Sequence, residues 1–109
     1  MPTEGNRAPL AVQKAVYHAE RPDFRITELH IDARQEVPWH LHSHVSDTFY
    51  VLQGRLRVFL RDPDEVLELV PGATGVALPR RPHRVTNAGD GMAVFFVLQA
   101  GEYDFVPVT

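Results

Sequence analysis

Three of the six histidines in this chain, His40, His42 and His44, fall within five residues. His40 and His42 are separated by a single residue. On a β-strand that spacing puts both imidazoles on one face, with Cα atoms about 6.6–7 Å apart, so their nitrogens can converge on one ion. Imidazole is a borderline ligand that suits Zn, Fe, Mn, Ni or Cu. The competing reading of an isolated His-x-His pair is two surface histidines that happen to alternate. The chain has no cysteine, which excludes thiolate ligands and disulfides.

The elements that must position these side chains read as short strands. Turn signals recur at Arg21-Pro22-Asp23, Asp62-Pro63-Asp64, Pro71-Gly72, Arg81-Pro82 and Asn87-Ala88-Gly89-Asp90-Gly91, and segments rich in Val, Leu, Phe and Tyr lie between them. No apolar stripe of helical period runs for ten residues. Short strands with frequent turns mean an all-β sandwich or barrel. In 55–61, Leu56, Val58 and Leu60 share one face. In 47–53, Asp47, Phe49, Val51 and Gln53 lie together. The segment 92–98 is apolar on both faces and needs cover on its outer side, which the N-terminal arm or a second subunit would supply. A homodimer is therefore expected. Residues 1–9, with Pro2, Gly5, Asn6 and Pro9, read as an irregular arm, and 10–109 as one barrel domain.

Composition agrees with a folded domain. A chain of 109 residues has room for one, and its 44% hydrophobic and 23% charged residues argue against disorder. A net charge of −3 gives no electrostatic reason to expect nucleic acid. No apolar run approaches the ~20 residues that span a bilayer. The first ten residues hold no apolar stretch of secretory-signal length. A soluble cytoplasmic protein, with no membrane partner, is the expectation.

The stretch from His40 to Gly54 resembles the first motif of the cupins, in which His-x-His is followed after three or four residues by a Glu and, six residues further, by a Gly. Here four residues separate His42 from Asp47 and six separate Asp47 from Gly54. The carboxylate is Asp where the family usually has Glu. Gly72, Pro79, His83 and Asn87 resemble the second cupin motif. The interval from Pro79 to His83 is one residue shorter than the commonest form, that from Gly72 to Pro79 one longer, and Arg81 stands near where a Gly is usual. The resemblance implies a double-stranded β-helix, the cupin jelly-roll barrel. It also implies one divalent transition metal per chain (Fe, Mn, Ni or Zn) held by His40, His42, His83 and Asp47.

Asp47 has a competing reading as a turn residue opening a strand, and as an aspartate it is one methylene short of the usual ligand. His44 is read as a mouth residue, either a substitute ligand or a substrate contact, and otherwise as solvated. Asn87 fits the family motif and the turn chemistry of its hairpin equally. Pocket walls are expected from Phe49, Val51, Val85 and Phe96. Trp39, Tyr50, Arg80, Arg81 and Arg84 are expected near the rim, with Trp39, His44, Phe49 and Arg81 as substrate contacts. The arginines either hold a carboxylate or phosphate or simply keep the barrel end solvated. Two functions follow from the resemblance. One is a metal-dependent dioxygenase, isomerase or lyase acting on a small acidic or sugar-derived molecule; the other is a non-catalytic module binding or sensing a small ligand.

Overall fold

Alternation of apolar and polar residues sets the inner and outer faces of nearly every strand. A computed structural model describes residues 11–109; the expected arm at 1–9 lies outside the described residues. Ten strands are found among them: β1 (Lys14–Arg21), β2 (Phe24–Ile31), β3 (Glu36–Leu41), β4 (Asp47–Gln53), β5 (Leu56–Leu60), β6 (Glu65–Leu69), β7 (Thr74–Ala77), β8 (His83–Asn87), β9 (Ala93–Ala100) and β10 (Val106–Pro107). They form two five-stranded sheets, in the orders β1-β2-β9-β4-β7 and β10-β3-β8-β5-β6. Every pairing is antiparallel. The described residues contain no helix, so none is long and apolar enough to cross a membrane.

The inner faces meet in one core of Leu29, Ile31, Val37, Val51, Leu56, Val58, Val85, Ala93, Phe95 and their neighbours. That core is graded from end to end. Along β2 the buried positions run Ile31, Leu29, Thr27, Arg25; along β9 they run Ala93, Phe95, Val97, Gln99; along β4 they run Val51, Phe49, Asp47. Cross-strand register aligns these series, with Leu29 opposite Phe95, Thr27 opposite Val97 and Arg25 opposite Gln99. In the second sheet Val37 faces Val85, and His40 faces His83. One end of the barrel is thus purely apolar and the other carries every buried polar side chain among the described residues.

Two local devices hold this arrangement. Val37 and His40 differ by three positions and would fall on opposite faces of a regular strand. A register shift between them brings both inward, and Pro38, which has no N–H for a ladder bond, lies within it. Pro38 therefore marks an irregularity inside a paired strand. Gly54, which ends the first motif, has φ of 77° in the β4–β5 turn. A Cβ there would lie 2.6 Å from the Met92 carbonyl oxygen, so only glycine fits.

Asn87 is explained by its turn. Its amide donates to the Ile31 and Gly91 carbonyls at 3.0 and 2.7 Å, and its side-chain oxygen accepts from the Gly89 N–H at 2.8 Å. The doubly apolar β9 has partial cover already: Val94 is buried, Phe96 is half-buried, and the His18 ring meets Phe96 edge-on at 5.6 Å.

Candidate metal centre

β3 carries His40, the loop after it His42, the start of β4 Asp47 and the start of β8 His83. All four are buried, and one ligand atom from each lies within 4.8 Å of the others. Each imidazole has its Nδ1 against a backbone carbonyl: His40 donates to Pro38 at 2.7 Å, His83 to Arg81 at 2.9 Å, and His42 to Asp104. An Nδ1–H fixed in this way leaves Nε2 as the atom aimed at the shared centre. It is the arrangement by which an outer contact sets tautomer and ring orientation in histidine metal sites.

Asp47 completes the group with its two oxygens in different roles. Oδ2 faces the imidazoles, 3.1 Å from His42 Nε2, 2.9 Å from His83 Nε2 and 4.0 Å from His40 Nε2. Oδ1 accepts from the Gln99 amide at 2.6 Å. The short aspartate reaches the cluster because it stands on the strand opposite the histidines and is steadied from behind. Burial alone would raise its carboxyl, but the hydrogen bonds from His42 and His83 prevail and hold it well below the usual carboxylate range.

The imidazoles divide in the same way. Burial, followed by the neighbouring His83, pushes His40 down to about 4. Burial also disfavours the His42 cation, yet the Asp47 hydrogen bond and charge outweigh it and raise that residue. Three imidazole nitrogens and one carboxylate oxygen are a donor set that fits a divalent transition metal: borderline nitrogen ligands, a single anionic oxygen and no soft sulfur. The residues therefore fit the ion that the motifs imply.

A cavity of about 50 Å³ opens on this cluster. Its apolar wall includes Leu29, Val37, Phe49, Val85, Phe95 and Val97, and Tyr17, Arg25, Thr27, Gln99 and Tyr103 supply polar groups. The C-terminal segment forms its roof. Phe105 stacks on His40 with ring centroids 4.4 Å apart and planes 14° apart, and Tyr103 lies 5.4 Å from the His42 ring. The Asp104 carboxylate takes the Ser43 N–H at 2.7 Å, which ties this segment to the histidine loop. Burial lifts the Tyr103 phenol to about 12, so at neutral pH it keeps its proton and can donate.

Of the expected walls, Phe49 and Val85 line the cavity. Val51 is buried but lies deeper in the core, and Phe96 points to the outer face. The expected rim needs correction. Trp39 has the opposite parity to His40 and stacks outside the barrel under Arg61, whose guanidinium carbon is 3.7 Å from the ring. His44 is exposed in its loop and stands apart from the cluster. Arg81 turns away to the β5–β6 connection, donating to the Arg61 and Pro63 carbonyls and to Glu65; only its own carbonyl serves the site, through His83. Arg84 pairs bidentately with Glu36 at 3.0 and 2.7 Å, while Arg80 and Tyr50 are exposed. Sequence reasoning missed Arg25, Gln99, Tyr103 and Phe105. For Arg25 and Gln99 the signal was present: each continues the inward parity of its strand.

The family model for the cupin domain matches residues 27–99. No curated protein is matched by the sequence. Among solved structures, the chain is similar to an uncharacterized conserved protein with a double-stranded β-helix domain from Klebsiella pneumoniae (23% identity, 95% of this chain and 86% of that one, TM-score 0.77). It is also similar to KdgF from a Halomonas species (23%, 81% and 79%, TM-score 0.71). A third similarity is to oxalate decarboxylase from Lactobacillus farciminis in complex with formate (18%, 79% and 27%, TM-score 0.72), of which this chain spans about a quarter. These likenesses establish the double-stranded β-helix. With the match covering well over half of its length, the chain belongs to the cupin domain family.

Proposed function

We propose that this cupin holds one divalent transition metal at His40, His42, His83 and Asp47 and acts there on a small acidic or sugar-derived molecule, as a metal-dependent dioxygenase, isomerase or lyase. The observation that carries the reading is the set of three Nδ1 contacts to backbone carbonyls, which turns three Nε2 atoms toward one carboxylate oxygen at the floor of a cavity. Histidines placed only for packing have no need of that common orientation. A bound ion with four protein ligands would keep one or two positions open and supply Lewis acidity there.

The chain's own residues then have definite tasks. Phe49, Val85, Phe95 and Val97 keep the inner side of the cavity dry, which strengthens electrostatic contacts within it. Gln99 holds Asp47, the three carbonyls hold the imidazoles, and Tyr103 offers a phenolic proton to a bound molecule. The oxalate decarboxylase that shares the fold was solved with formate, and that supports a small acid as the ligand class. The reading includes a homodimer, in which a second copy covers the outer face where Tyr50 and Val76 stay exposed; sedimentation of the purified chain tests it.

The deciding experiment uses protein purified without a metal-affinity tag and loaded with iron, manganese, nickel or zinc. It is screened against small carboxylic and sugar acids by oxygen uptake and by product detection. Turnover by the loaded protein and none by the metal-free protein supports the enzyme. Binding without turnover would make the chain a ligand-binding module. Neither binding nor turnover with any of the acids would overturn the proposal.

A further inference from the structure

The polar end of the barrel contains a second buried charge besides Asp47. Arg25 occupies an inward position on β2, 6% exposed, opposite Gln99, and lines the same cavity as His40, His42 and Asp47. Its guanidinium carbon lies 3.9 Å from the centre of the Tyr103 ring, and that ring is 5.4 Å from His42. One aromatic ring thus adjoins both the cation and a metal-binding imidazole. Thr27, Leu29 and Ile31 fill the following inward positions of the strand. A guanidinium in that series carries a desolvation cost that an aliphatic side chain would not. The Glu20 carboxylate, 3.3 Å away, offsets part of it.

We propose that Arg25 anchors the anionic end of the ligand, and that the ligand is a compact monocarboxylate or the carboxylate end of a longer acid. The inference rests on the reading of the cluster as a metal centre and narrows its substrate class. Charge supports it: with neutral histidines a divalent ion at the cluster would be only half balanced by Asp47, and an anionic group beside it would face both that ion and the Arg25 guanidinium. Guanidinium recognises carboxylate with two parallel N–H donors, a geometry that a neutral amide of the same shape cannot reward.

The test titrates acetate, its neutral isostere acetamide, and inorganic phosphate into manganese-loaded and metal-free protein, followed by calorimetry and by thermal denaturation. Acetate should bind in preference to acetamide. Arg25→Gln should weaken acetate about tenfold or more while retaining the metal content of the wild type, and Arg25→Lys should recover part of the loss. Equal binding of acetate and acetamide, no binding of acetate, or unchanged affinity in Arg25→Gln would overturn the proposal. Tighter binding of phosphate than acetate would overturn the carboxylate assignment. If Arg25→Gln does not fold, the comparison of the three probes on the wild type decides. Failure of the metal reading shows separately, as wild-type protein that takes up no ion; Arg25-dependent binding of acetate to the metal-free protein would then still support the anion site.

Discussion

Gln99 donates to Asp47 Oδ1 at 2.6 Å, on the side of the carboxylate away from the histidines, and leaves Oδ2 to face all three imidazoles. An aspartate is shorter than the glutamate usual at this place, and this contact fixes its reach. Gln99→Ala should lower metal affinity about 10–100-fold, the usual effect of removing an outer contact to a ligand, with the fold retained. Competition against a fluorescent chelator measures it. Unchanged affinity would mean that Asp47 needs no support.

Phe105 stacks on His40 and belongs to the segment that roofs the cavity. Phe105→Ala removes a partly buried ring packed against the core. It should cost about 1–3 kcal/mol, below the range for fully buried aromatics. Urea denaturation of the metal-free protein gives the value, and no change would show that the roof contributes nothing to the fold.

Gly54 has both a positive φ and a backbone neighbour, the Met92 carbonyl, where a Cβ would go. Gly54→Ala should therefore destabilise by more than the ~1 kcal/mol that a helix or strand glycine gains from the same change. Thermal denaturation checks it. A neutral effect would contradict the close approach of β4–β5 and β9.

The Glu36–Arg84 pair, which joins β3 to β8, supplies a further pH dependence. The Arg84 hydrogen bonds, more than the opposing effect of burial, hold the Glu36 carboxyl below its ordinary 4.5. A group lowered in the folded state adds stability that is present above its unfolded pKa and disappears as pH falls through the folded value. Both side chains are more than a third exposed, so the contribution is under about 1 kcal/mol. Glu36→Gln should remove that part of the acid limb in urea titrations from pH 6 to 3 and leave stability above pH 7 lowered by the same small amount. A variant as acid-sensitive as the wild type would exclude the pair as a source.

Strands, turns and the four-residue cluster were legible in the sequence because period-two alternation and two motifs are local patterns. Leu56, Val58 and Leu60 point inward as their spacing requires. The rim is not legible in the same way, because adjacency in sequence is not adjacency in space. Trp39 and Arg81 flank ligands, yet the pleat and the turn send their side chains outside. Arg25 and Gln99 lie far from either motif and reach the site only through the β2–β9 register. Tyr103 and Phe105 come from an irregular segment whose path no periodicity describes. Pro38 illustrates the same limit. A register shift, which a regular strand pattern does not encode, brings Val37 and His40 to one face.

The central claim is a metal ion held by three imidazoles and Asp47. Its most direct test is elemental analysis of protein purified without a metal-affinity tag, alongside His42→Ala and His83→Ala variants, each checked for folding by circular dichroism. The account predicts about one transition-metal ion per wild-type chain and a large loss in both folded variants. Wild-type protein that holds no metal after incubation with iron, manganese, nickel or zinc, or variants that hold as much as the wild type, would contradict it.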